Sequence, residues 1–257
     1  MLPVAFLSHG APTLAVEDNS DTRAWAELAQ SLPRPDAILV VSAHWDTAEP
    51  RVSAATRPET IHDFGGFPAE LYQLRYPAPG APTLADDVRG ALEGAGLRCD
   101  VDPDRGLDHG AWVPLRWMYP RADIPVTQLS VQSHRGPRHH HEVGRALAAL
   151  RGKATLILAS GGIVHNLREL EWHRQGTREP TAWARDFNDW IAARVASGAV
   201  DELIDYRHLA PEAKRSHPTE EHFDPFFVGL GAGGLPARRL ALGFDLGSLG
   251  MDGYVFG

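Results

Sequence analysis

Cysteine is almost absent from this chain: Cys99 stands alone among 257 residues. One thiol makes neither an intrachain disulfide nor a thiolate metal cluster, which fits a reducing compartment and leaves any metal to His, Asp or Glu. Long apolar runs are missing too. No span reaches the roughly 18 residues that a membrane helix needs, and no basic segment precedes the short apolar run at the N-terminus. Neither a membrane helix nor a secretion signal is therefore expected, and the expected location is cytoplasmic. Positive charge is scarce, with 25 Lys and Arg against 33 Asp and Glu and a formal net charge of -8. Without a Lys/Arg block to follow a phosphate backbone, nucleic acid is not an expected partner. Familiar catalytic signatures are also lacking. There is no H-E-x-x-H pair, no G-x-S-x-G elbow and no G-x-x-x-x-G-K-[ST] loop, so zincin protease, ordinary serine hydrolase and P-loop NTPase lose their signatures. Gly231-Ala232-Gly233-Gly234 alone is too weak to mark a dinucleotide site.

What the chain has in quantity is histidine, 13 in all. Two of them end apolar, β-branched runs that read as buried strands: Leu7-Ser8-His9-Gly10-Ala11-Pro12 and, one βα unit later, Ala37 to Trp45 with His44. In an α/β sheet the carboxyl ends of parallel strands line the ligand crevice, so two such imidazoles would share one site. A third strand, Ala154 to Ala159, runs into Ser160-Gly161-Gly162-Ile163-Val164-His165, where glycines permit close backbone approach. His109 lies in Leu107-Asp108-His109-Gly110, expected to be a loop before a short helix from Val113 to Met118. Capping that helix or bonding the loop would also account for it. His139-His140-His141 sit in a row, diverge by about 100° per residue on a helix, and are expected on a solvated helix face.

The remaining pattern alternates strand and helix. Helices are expected over Thr22 to Leu32, capped by Ser20 or Asp21, over Pro82 to Leu97, from about Arg138 to Leu150, and over Thr181 to Ala196. Short strands are expected at Arg51 to Ala55, Arg98 to Val101, Val126 to Val131, Arg239 to Phe244 and Gly253 to Phe256. His62 to Pro68 is a glycine-rich loop with two aromatics, a kind placed over sites. Ser216 to Phe223 reads as a loop entering a helix through Phe227, with Thr219 as cap and His222 on the first turn. At this length the expectation is a single catalytic α/β domain over residues 1–257, with a mostly parallel central sheet flanked by helices on both faces. Clustered imidazoles suit Zn(II) and Fe(II) alike.

Six segments together carry a family resemblance: Ser8 to Pro12, Ser42 to Trp45, Asp63 to Pro68, Leu107 to Trp112, His165-Asn166-Leu167 and His217 to Phe223. In that order they resemble the DOPA-type extradiol ring-cleavage dioxygenases, a branch of the class III, LigB-like superfamily, over nearly the whole chain. The resemblance implies one α/β domain holding a non-haem Fe(II), which Zn(II) can also occupy, and oxygen-dependent opening of a catechol ring beside its diol. It implies His9, His44 and His222 as metal ligands, with His165 at the same ion as acid/base or fourth ligand. The better-known branch uses two histidines and a carboxylate, and here Glu220, Glu221 and His222 stand side by side. His109 is expected against the substrate hydroxyl or an oxygen intermediate, and Phe64 and His217 along the substrate. The partners expected are a catechol such as DOPA, caffeate or protocatechuate, and O2. An acidic catechol would want a cation, with Arg135, Arg138 and Arg168 as candidates. Two other functions suit the same histidines: a zinc-dependent hydrolase, and a non-enzymatic, Memo-like binding module.

Overall fold

The buried strands expected at both ends and in the middle of the chain meet in one sheet. The computed structural model describes all 257 residues. In chain order the elements are β1 (Val4–Ser8), α1 (Ser20–Ser31), β2 (Ala37–Asp46), β3 (Arg51–Ser53), α2 (Pro82–Gly94), β4 (Asp100–Asp102), α3 (His109–Met118), β5 (Val126–Val131), α4 (Gly136–Leu147) and β6 (Thr155–Gly161). There follow α5 (Ala182–Ser197), the short α6 (Val200–Ile204), α7 (Tyr206–Leu209) and α8 (Ala213–Ser216), then α9 (Asp224–Gly233), β7 (Ala237–Leu240), β8 (Phe244–Asp245), β9 (Leu249–Gly250) and β10 (Gly253–Phe256). Eight strands form one sheet in the order β4-β3-β5-β2-β6-β1-β10-β7, and β8 pairs with β9 outside it. The central pairs β5-β2, β2-β6 and β6-β1 are parallel, whereas β10 and β7 close one edge antiparallel.

Helices cover both faces, which is why β1 and β6 are apolar without alternation. Val4, Phe6, Leu39, Val41, Ile157 and Ala159 point to a core shared with α2, α4, α5 and α9. Their neighbours Ala5, Leu7, Ile38, Val40, Leu156 and Leu158 point to the opposite core, against Trp25 and Leu28 of α1 and Trp112 and Leu115 of α3. No helix is long and apolar enough to cross a membrane.

Several local expectations shift. Asn19, not Ser20 or Asp21, caps α1, its Oδ1 accepting from the backbone N–H of Asp21 at 2.9 Å and of Thr22 at 3.2 Å. Strand β4 starts two residues later than expected, and β7 lies over Ala237–Leu240 instead of Arg239 to Phe244. Helix α3 begins at His109, because Asp108 caps it by accepting from Ala111 N–H. Helix α9 begins at Asp224, after His222, with Pro225 in its first turn. Thr219 caps nothing and donates to Glu221 Oε1 at 3.0 Å.

The run His139 to His141 is not a solvated face. His140 is buried, its Nε2 accepting from Gln132 N–H at 3.0 Å while Nδ1 faces Gly136 O at 2.8 Å and Asp224 Oδ1 at 3.1 Å. His139 bonds Gln132 Oε1 at 2.9 Å. The run therefore locks α4 to the end of β5 and to α9.

Candidate active site

Strand β6 runs between β1 and β2, so the residues at their carboxyl ends converge over it. His9 leaves the end of β1. His44 lies inside β2, where the pairing with β5 slips register between Val41 and Asp46, an irregularity of the kind that re-aims a side chain. His222 comes from the turn before α9 and is held there by Gly162 N–H, which donates to its carbonyl at 2.8 Å. That approach needs glycine at position 161, where a Cβ would stand 2.1 Å from the His222 carbonyl oxygen. Gly110 is required as well, since a Cβ there would meet Ser42 Oγ at 2.5 Å and the rings of His44 and His9 just beyond 3 Å.

The three rings are held so that one nitrogen of each faces the others. Ser160 Oγ–H donates to the Gly110 carbonyl, so its oxygen receives the proton of His9 Nδ1 at 2.9 Å and leaves a lone pair on His9 Nε2. His222 Nδ1 pairs with Glu221 Oε1 at 3.0 Å, and its Nε2 is buried without a partner. His44 Nδ1 faces Asp63 Oδ2 at 3.5 Å, and its Nε2 stands 2.9 Å from His9 Nε2. Ligand atoms of His9, His44 and His222 all lie within 4.8 Å of one another. Burial, followed by neighbouring imidazoles, holds His9 and His222 well below the usual histidine range. His44 is pushed down to about 4, chiefly by burial and then by His109. Three neutral imidazoles with converging lone pairs are a donor set for a divalent metal, and the buried, unpartnered His222 Nε2 is otherwise a cost.

Around this group stand His165 and His109. The His165 ring stacks on His222, centroids 3.5 Å apart and planes 7° from parallel, and burial, then His222, pushes its pKa down to about 2. His109 is not on a loop: it opens α3, its ring centroid 3.9 Å from that of His44. Asp63 ties the two together, its Oδ1 accepting from His109 N–H at 2.9 Å and its Oδ2 lying 3.0 Å from His109 Nδ1. Burial works against the Asp63 carboxylate, but the His109 contacts hold it down at about 2. Asp108, fully buried, accepts from Ser42 Oγ at 2.7 Å and Arg105 Nη2 at 2.9 Å, so the end of β2 and the start of α3 share one carboxylate.

His9, His44, His109, His165, His222 and Phe64 all line one cavity of about 570 Å³. His217 does not. It is fully buried behind the site, its Nε2 donating to the Gly162 carbonyl at 3.1 Å and its ring stacked on Phe223; its Nδ1 is unpartnered among the rings of Phe187, Tyr206 and Phe223. The expectation that it meets substrate is corrected: it supports the Gly161-Gly162 turn. Glu220 is turned away, paired with Arg207 at 3.1 Å, and Glu221 meets Thr219 and the back of His222. Arg135, Arg138 and Arg168 do not line the cavity either. Asp63 was missed by sequence reasoning, since a lone carboxylate in a loop has no period; its glycine-rich, aromatic setting was the available signal.

With this geometry in place, the comparisons with known proteins are decisive. Residues 3–256 match the model of the catalytic LigB subunit of aromatic ring-opening dioxygenase. The chain belongs to the LigB family. Among its relatives is a 4,5-DOPA dioxygenase extradiol from Escherichia coli strain K12, 45% identical over 97% of this chain and 93% of the relative. One of the same name from Beta vulgaris is 42% identical over 98% of this chain and 95% of the relative. A crystal structure of an uncharacterized protein from Escherichia coli K12 superposes with a TM-score of 0.83 at 39% identity, covering all of both chains. Membership makes this chain an enzyme, an aromatic ring-opening dioxygenase of the extradiol type.

Proposed function

We propose that this LigB-family enzyme opens a catechol with O2 at a single metal held by His9, His44 and His222, Fe(II) for activity, with Zn(II) able to occupy the same donors. The observation that carries the assignment is the arrangement of the three rings: each turns Nδ1 toward a protein oxygen, and one ligand atom of each lies within 4.8 Å of the others. When bound there, a redox-active divalent ion supplies a common anchor for diol and dioxygen and a path for electrons between them.

The chain's own residues then handle protons and orientation. His165 is neutral at physiological pH and able to accept a proton from the second catechol hydroxyl; the negative charge left on the diol stabilises the imidazolium, which returns the proton later. His109, with its Nδ1 turned to Asp63, presents its other nitrogen to substrate or oxygen. Asp63 acts through the histidines, keeping the Nδ1 protons of His44 and His109 on its own side. Phe64, edge-on to His109 at 5.7 Å, closes the ring site from the loop side. The product of such a reaction is a ring-opened muconic semialdehyde. Family membership favours this reading over a zinc hydrolase or a Memo-like binding module.

The test is anaerobic loading with Fe(II) followed by a catechol panel in air. Oxygen uptake in step with a yellow ring-opened product is expected. Hydrolysis with Zn(II), and no catechol turnover with Fe(II), would overturn the proposal.

A further inference from the structure

The cavity is much larger than the ring it is proposed to open. A volume of about 570 Å³ belongs to the range that encloses drug-sized ligands, whereas a bare catechol has only eight heavy atoms. Beyond the histidines its walls are apolar: Leu14, Leu170, Trp172, Leu246, Leu249 and Met251. Its charge is one-sided. Of 24 lining residues none is Lys or Arg, while Glu17, Asp21, Asp63 and Asp245 are carboxylates. Asp63 belongs to the histidine end. The other three form a separate group: burial raises the Asp21 pKa against its Arg178 partner, and Asp245 and Glu17 raise it further. Arg178 reaches Asp21 Oδ2 at 2.8 Å without lining the cavity; Asp21 Oδ1 is buried and unpartnered, and the exposed Glu17 has no side-chain partner. Asp245 accepts from Leu246 N–H at 2.9 Å.

We infer that the substrate is a catechol carrying an extended apolar substituent that ends neutral or as an ammonium, and not as a lone carboxylate. The inference rests on the ring-cleavage proposal for the position of the diol. The apolar walls reward each buried methylene, and a terminal carboxylate, away from the metal end, would meet lining carboxylates and no lining Lys or Arg.

The experiment measures kcat/KM for the Fe(II)-loaded enzyme, and Kd for the Zn(II)-loaded enzyme, on 4-methylcatechol, 4-pentylcatechol, 4-(3-aminopropyl)catechol, 3-(3,4-dihydroxyphenyl)propanoate and DOPA. The pentyl compound should exceed the methyl one by at least about tenfold, four buried methylenes being worth more than that. The amine should exceed the propanoate by a similar factor, with DOPA, which bears both charges, between them. Trp172 is 68% exposed, so Trp172→Ala should fold normally and shrink the pentyl-to-methyl ratio. Glu17→Lys should shrink or invert the amine-to-acid ratio. Ring opening without a gain from length, or with the propanoate ahead of the amine, overturns the inference and leaves the reaction intact. The expected order in Kd with no ring opening by any compound overturns the reaction and leaves the inference standing. Absence of both binding and turnover overturns both.

Discussion

Two histidine-rich regions of this molecule look alike in composition and differ in chemistry. His139 to His141 stand consecutively on α4, and His140 is as buried as His9, at 1% and 2% exposed. Yet both nitrogens of His140 are matched, by Gln132 N–H on one side and by Gly136 O and Asp224 on the other. At the ends of β1 and β2 each ring has one partner outside the group; the other nitrogens of His9 and His44 meet each other at 2.9 Å, and that of His222 has no partner. Neither the density of histidines nor their burial marks the site, nor does one leftover nitrogen, since His217 keeps one among aromatic rings; the convergence of several does.

The largest effect that would break this comparison comes from exchanging the two regions' roles. His9→Ala or His44→Ala is expected to abolish metal binding in elemental analysis while leaving the melting temperature of the metal-free protein nearly unchanged. His140→Ala is expected to keep full metal content and to cost about 1–3 kcal/mol in urea melts, the penalty for orphaning buried partners. An unfolded His44→Ala protein that still carries its metal would reverse the assignment. Next comes the division of labour within the site. His165→Gln should retain much of its metal and slow catechol turnover by about 10²- to 10⁴-fold, with the deficit shrinking at high pH as substrate ionises unaided. His222→Ala should lose the metal instead; the opposite pair of outcomes would exchange their roles.

Asp63 sharpens the comparison at a smaller scale. It is the partner that leaves His44 singly matched, so Asp63→Asn, which places an amide donor opposite the Nδ1 protons, should weaken Zn(II) binding by about 10- to 100-fold by calorimetry. Asp63→Glu should recover part of that loss, and unchanged affinity in the Asn variant would remove Asp63 from the account.

How much of this was legible in the residues depends on what each feature leaves in a sequence. The strands β1, β2 and β6 are apolar on both faces and announce themselves, and with them His9 and His44. The start of α9 was misplaced because Thr219 resembles a cap, whereas Pro225 marks the true first turn. Asp108 as cap of α3 was obscured by the flanking Gly106 and Gly110, which read as a turn, although Gly110 is required for a different reason, the approach of His9 and His44. The burial of His140 and of His217 could not be read, because the partners of each lie on elements distant in sequence: Asp224 for one, Gly162 for the other.

The smallest effect per group concerns pH. In the metal-free protein His9, His44, His165, His217 and His222 are all held below their ordinary values, burial being the first cause for each. The unfolded chain, titrating near pH 6.5, then binds more protons than the folded one. Stability is fully present above about pH 6.5 and falls as pH drops toward about 4, where His44 titrates, by up to about 1.4 kcal/mol per pH unit for each histidine kept neutral. Urea melts of metal-free protein between pH 7 and 5 should show that slope, and Zn(II) should add stability at pH 7. A flat profile would mean these rings take up protons in the fold at the same pH as in the unfolded chain.

The central claim, that leftover imidazole lone pairs make the site, is tested most directly by nitrogen-15 spectra of the histidine rings during a Zn(II) titration. Metal-free protein should show His9, His44 and His222 protonated at Nδ1 and bare at Nε2. All three Nε2 signals should shift together and saturate at one equivalent, while His139, His140 and His141 stay still. A proton on Nε2 of His9 or His222 in the metal-free protein, or saturation accompanied by movement of the α4 histidines instead, would contradict the account.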